Sequence, residues 1–167
     1  ELIYAPNGNY FGADAFGWRA FDGYHFSATA SVEISVLPIN DPPEIIFQND
    51  TVRYEVNGEP AFLAPLADII DPDDDTLTQA AVGFRAGSFR ADLDLLEFQN
   101  TTNIRGNFSL QSGVLQFSGT ASIAEYRTAL RSVRYVHLNT TDPLLPAKIV
   151  SFTLDDGETG SIPKDKV

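Results

Sequence analysis

The sequence predicts an all-β chain interrupted by one short helix. Three observations carry this. Residues 26–36, FSATASVEISV, are apolar at every even position and polar at every odd one, the period of a strand with one buried face. Short strand-like runs recur at 44–48, 52–56, 79–86, 93–98, 113–117, 132–138 and 147–154, joined by polar turns, which argues for a sandwich. A single stretch, SIAEYRTALR, carries helix signals: Ser122 and Glu125 have capping-box spacing, and Ile123, Tyr126, Ala129 and Leu130 then share one face.

In chain order, Phe16, Trp18 and Ala20 alternate with Gly17 and Arg19, giving a strand. Asp22-Gly23 is a hairpin turn signal, so residues 14–37 read as a β-hairpin. Two or three strands cannot make a stable sandwich. Residues 1–38 are therefore expected to be the C-terminal strands of a preceding module. PINDPP, at 38–43, breaks the ladder, because proline lacks an amide donor and restricts its neighbour. Residues 39–43 are assigned to a linker and 44–167 to a second module whose last strand is incomplete. FTLDDGETGS at 152–161 parallels WRAFDGYHFS at 18–27, a repeat of one strand-hairpin unit about one module apart.

Composition narrows the function. The net charge is −12, from 23 acidic against 11 basic residues, which would repel phosphate backbones and excludes nucleic acid as an expected partner. The chain has no cysteine, which rules out disulfides and thiolate metal sites. No apolar run is long enough for membrane insertion. Asn49, Asn100, Asn107 and Asn139 each begin an N-x-S/T sequon without proline, where chance would give roughly one. They point to N-linked glycans and a secreted, cell-surface chain.

The acids cluster. Asp68, Asp71, Asp73, Asp74 and Asp75 fall within eight residues. Calcium takes six to eight oxygens, and a site between modules draws them from the end of one, the linker and a loop of the next. Asp22 lies on the first hairpin, Asn40 and Asp41 in the linker, and Asp71 and Asp73 in the acidic loop. A solvated acidic turn is the competing reading of this loop. An EF-hand does not fit, because Thr76 and Val82 stand where its glycine and bidentate glutamate belong. Catalytic signals are weak: there is no G-x-S-x-G and no cysteine nucleophile, so no enzyme is expected. His25 and His137 read as surface residues. Asp92 and Asp94 have the makings of a carboxylate pair, but nothing near them spells a sugar cleft.

Asp22-Gly23, the alternating strand, Asn40-Asp41-x-Pro43 and Asp71-x-Asp73 together resemble the junction of cadherin and cadherin-like repeats. LAPLADIIDPDDDTL, GVLQFSGTASIAEYRTALRSVRY and FTLDDG resemble the cadherin-like repeats of very large surface proteins. The resemblance covers most of the chain. It implies a Greek-key, immunoglobulin-like β-sandwich with calcium at the junction, held by Asp22, Asn40, Asp41, Asp71 and Asp73. Pro38 and Val56 depart from the family pattern, which places acids there. The expected function is a non-catalytic structural or adhesive repeat of an extracellular filament or surface glycoprotein. Its partners would be neighbouring repeats, like copies or surface glycoproteins. The alternatives are a module that binds glycan or protein through exposed aromatics (Tyr10, Phe11, Tyr24 and Phe89), or an accessory domain of a larger secreted enzyme.

Overall fold

The computed structural model describes residues 2–49, 51–55, 58–138 and 147–167. The chain is mostly strand, 42%, with one helix, and it divides into two units, Glu1–Asn40 and Asp41–Val167. The first unit holds β1 (Gly12–Trp18) and β2 (Ala30–Val36), an antiparallel pair. The alternation of residues 26–36 forecasts a strand with a buried face. The strand itself begins at Ala30, and no even position is fully buried: Phe26 is 61% exposed and Val32 38%, while Ile34 and Val36 are half-buried. The reason is local, since two strands of one sheet supply no second layer for those side chains to bury against.

The second unit is built from β3 (Glu44–Ile46), β4 (Ala61–Phe62), β5 (Asp68–Ile70), β6 (Thr76–Phe84), β7 (Asp94–Glu97), β8 (Arg105–Ser109), β9 (Val114–Ser122), α1 (Ile123–Arg131), β10 (Arg134–His137), β11 (Val150–Asp155) and β12 (Lys164–Lys166). Five strands form a sheet in the order β12-β11-β6-β9-β8. Three form a second sheet, β4-β10-β7, and β3 pairs with β5; all neighbours are antiparallel. Ala80, Val82, Phe117, Phe152 and Leu154 of the large sheet share one buried cluster with Leu96 and Tyr135 of the small one, Ile45 and Ile69 of the β3–β5 pair, and Tyr126 and Leu130 of the helix. Strict alternation along β11, with Val150, Phe152 and Leu154 inside, puts these residues there. On β6 the buried phase switches between Leu77 and Ala80. There the register with β9 shifts, and Gly119 and Thr120 together oppose Thr78.

The helix forms where its signals lie. Ser122 Oγ accepts from the Glu125 amide (3.3 Å), and Glu125 Oε2 accepts in return from the Ser122 amide (3.0 Å). Its buried face is Tyr126, Ala129 and Leu130. Two arginines fix its other side to β5 and the residue before it. Arg127 pairs with Asp68 (2.6 Å), and Arg131 Nε donates to the Ala67 carbonyl (2.7 Å). Ser122→Ala is expected to lower stability by about 1 kcal/mol in urea unfolding, as loss of an N-cap does.

Four short strands lie where none was expected: β4, β5, β8 and β12. The expected strand at 52–56 is absent over its described residues, 52–55. In that segment the Val52 amide donates to the Val167 carbonyl (2.7 Å), and the Tyr54 ring packs edge-on against Tyr135.

The two hairpins that look alike in sequence are alike in structure, at one constant offset, that from Asp22 to Asp156. Gly17 pairs with Ser31 in the first, and Ser151 with Asp165 in the second. The bridges Phe21↔Phe26 and Asp155↔Gly160 correspond. Asp22 Oδ1 accepts from the amides of Tyr24 and His25, both at 2.8 Å. Asp156 Oδ1 accepts from those of Glu158 and Thr159, both at 2.6 Å. Ser27 Oγ accepts from the Ala20 amide, and Ser161 Oγ from that of Leu154. Gly23 and Gly157 occupy the same left-handed region, at φ +104° and +109°.

Candidate functional site

Three carboxylates converge at one end of the large sheet. Asp71 follows β5, Asp74 precedes β6, and Asp156 follows β11. Gln79 near the start of β6 pairs with Asp155 at the end of β11, so the acidic loop and the β11–β12 turn meet. One oxygen from each of Asp71, Asp74 and Asp156 lies within 4.8 Å of the others, the single such acidic group among the described residues.

Each member is held by local backbone. Asp71 Oδ1 accepts from the amides of Asp73 (3.3 Å) and Asp74 (3.1 Å), the side-chain turn that Asp-Pro-Asp-Asp favours. Asp71 Oδ2 is buried and accepts no hydrogen bond among the described residues. Asp156 is 8% exposed, and its amide bonds fix Oδ1. Burial pushes the Asp71 carboxyl above its ordinary range, and the neighbouring Asp73 carboxylate adds to this against the two amide bonds. An orphaned oxygen in an all-oxygen cluster of net negative charge fits a hard cation.

The structure divides the expected ligands. Asp71 belongs to the cluster. Asp73 is not in the group of three: its carboxylate lies beside that of Asp71 and accepts the Asp41 amide (3.1 Å), bracing the start of the second unit. Asp22 and Asn40 lie in the first unit, where Asp22 caps its own turn; the two amide bonds hold its carboxyl below the ordinary range. Asp74 and Asp156 were not among the expected ligands. The repeat contains the signal for Asp156: it is the counterpart of Asp22, and Asp71 and Asp74 lie in its own module.

A second cluster lies inside the fold. Asp94 is fully buried and His137 is 5% exposed, so His137 is not a surface residue. Asp94 Oδ2 accepts from Lys148 Nζ (2.6 Å) and the Arg90 amide (2.7 Å), and Oδ1 accepts from the Tyr135 hydroxyl (2.7 Å). The hydroxyl proton is thereby committed, so the His137 Nδ1 proton points to the hydroxyl oxygen (3.2 Å) and to Asp94 Oδ1 (3.4 Å). Its Nε2 is buried without a partner among the described residues. Asp92 is exposed and takes no part, so the two carboxylates are not a pair. A cavity of about 410 Å³ adjoins this cluster, lined by Val52, Tyr54, Leu63, Tyr135, Lys148 and Val150 among others.

Of the candidate platform aromatics, Phe89 stacks on Phe84 (5.3 Å between ring centres) and belongs to the interior. Tyr10, Phe11 and Tyr24 are exposed. Asn49, Asn100 and Asn107 are exposed, and Asn139 lies outside the described residues. No helix among the described residues is long and apolar enough to cross a membrane.

No family model, curated protein or solved structure matches this chain.

Proposed function

We propose that the second unit is a calcium-stiffened, cadherin-like sandwich module of Greek-key type, acting as a structural or adhesive repeat of an extracellular glycoprotein. The observation that carries this reading is the Asp71–Asp74–Asp156 cluster with its orphaned buried oxygen. The ion would tie the β5–β6 loop to the β11–β12 turn and relieve the repulsion stored there. In this reading the cation site is internal to each module, with Asp22 the same position in the preceding one, and Asp41 and Asp73 set the linker. Glycans on Asn49, Asn100 and Asn107 would shield the surface. Asn107 lies on β8, an edge strand of the large sheet, where a glycan would block edge-to-edge pairing.

Calcium titration by calorimetry tests the reading. Saturable binding is expected, with Kd of about 10⁻⁴–10⁻³ M, the range of extracellular modules. Asp71→Asn and Asp156→Asn should each weaken it at least about tenfold, about 1.4 kcal/mol. An absence of saturable binding by the wild type sinks the proposal.

Linkage adds a pH test. A carboxyl whose folded value is raised binds its proton more tightly in the native state, so it costs stability as pH rises through that value. Without metal, Asp71→Asn should therefore be more stable than wild type at neutral pH, and this advantage should shrink in acid. Added calcium should reverse the order, because only the wild type gains from the ion. Thermal melts with calcium and with chelator read both effects. A metal-free Asp71→Asn protein less stable than wild type at neutral pH contradicts the repulsion.

A further inference from the structure

The Asp94–Lys148 pair is difficult to justify as a salt bridge alone. It places two charges where side-chain exposure is 0% and 12%, and a buried pair of this kind is often no more stable than apolar residues of the same volume. Its geometry suits a chemical outcome instead. Nζ sits 2.6 Å from Oδ2, which is itself bonded to the carboxyl carbon that an amide would join. The other carboxyl oxygen is held by the Tyr135 hydroxyl, with the His137 Nδ1 proton beside it.

We propose that Lys148 and Asp94 condense into an intramolecular amide. The step needs no outside reagent. One ammonium proton moves to Oδ2, giving a neutral amine and a neutral carboxyl. The Nζ lone pair attacks Cγ, and the electron pair of the C=O bond moves onto Oδ1, where Tyr135 and His137 donate to it. A second Nζ proton passes to Oδ2, the Cγ–Oδ2 bond breaks, and one water leaves as the carbonyl re-forms on Oδ1. Nζ keeps its third proton as the amide hydrogen, so atoms and charge balance. The adjoining cavity gives the water a way out.

Burial pushes the Asp94 carboxyl up, but bonds from Lys148, Tyr135 and the Arg90 amide outweigh it and hold the group below its ordinary value. The neutral pair is therefore a minor form and the reaction slow. One turnover per molecule suffices, because fixed proximity replaces a second-order encounter and the product carries no buried charge. The bond would join β7 of the small sheet to the segment entering β11 of the large one, closing a loop between positions 94 and 148 in a chain without cysteine. This is independent of the calcium reading.

Mass spectrometry tests it. The 167-residue chain, made without glycosylation and incubated folded, should lose about 18 Da, one water. Fragmentation should place the cross-link between peptides containing Asp94 and Lys148. Dehydration at Asp22-Gly23 or Asp156-Gly157 would give the same mass, so Lys148→Arg is the control, and its mass loss must fall short of the wild type's. A second measurement needs no variant: in denatured wild type, an amine-acylating reagent should leave Lys148 unmodified while labelling the other lysines. Full mass in the incubated wild type, acylation of Lys148, or a mass loss in Lys148→Arg equal to that of the wild type overturns the proposal.

Discussion

Lys148→Met is expected to lower the unfolding free energy by about 3–5 kcal/mol, the usual cost of stranding one member of a buried ion pair. Asp94 would keep its place at zero exposure, with the Tyr135 hydroxyl and Arg90 amide still bonded but the Lys148 ammonium gone. Urea unfolding measures the loss. Adding Asp94→Asn to Lys148→Met should recover part of it, because the unpaired charge goes while a side-chain acceptor remains. A double variant no more stable than the single one would show that packing, and not charge, sets the cost. The pH dependence follows from the depressed carboxyl of Asp94. Its contribution is complete above the range of an unfolded carboxyl and is lost as pH falls through the lower native value. In freshly prepared wild type, before the amide forms, the gap to Lys148→Met should therefore narrow in acid. Once the amide has formed neither group titrates, and the wild type no longer loses this contribution in acid.

The all-β character and the helix were legible because their signals are local. Alternation marks β11, and the Ser122–Glu125 spacing marks the helix start. β5 was hidden by its neighbours: Ile69 is buried, but the acids around it make the stretch read as loop. β8, RGNFS, is an edge strand with Phe108 as its single large apolar residue, so alternation is faint. The acidic cluster was half legible. Asp71 stood out by density, whereas Asp156 comes from another turn and is joined to it only by the pairing of β6 with β11. The Asp94 cluster was not legible at all. Its members come from β7, β10 and the approach to β11, and nothing in the spacing of an aspartate, a tyrosine, a histidine and a lysine says that one sheet will stack their side chains over another. Local periodicity specifies which residues face inward, and the long-range pairing decides which of them meet.

Gly119→Ala should be among the most damaging single substitutions, at about 2–6 kcal/mol, combining backbone strain of about 1–3 kcal/mol and overpacking of about 1–3 kcal/mol. Gly119 sits at φ +125°, which side chains rarely adopt, and an added methyl would collide with the backbone carbonyl of Asn103. That carbonyl belongs to the turn entering β8 and cannot rotate aside as a side chain would. The Gly119 carbonyl also accepts from the buried Tyr126 hydroxyl (2.7 Å), so moving this backbone disturbs the helix as well. The bulge here sets the pairing of Thr76 and Leu77 with Ser122 and Ala121, and Asp74 lies just before that pair. Gly119→Ala should therefore weaken calcium binding together with stability, although the residue touches none of the three carboxylates. Gly8→Ala is the control, with open space around its Cβ and no unusual φ, and should change neither. Thermal melts and calcium titrations of both variants decide the point. A Gly119→Ala protein within about 1 kcal/mol of wild type would mean that the bulge can relax. Normal stability with weakened calcium binding would instead show that the bulge acts on the site through register alone.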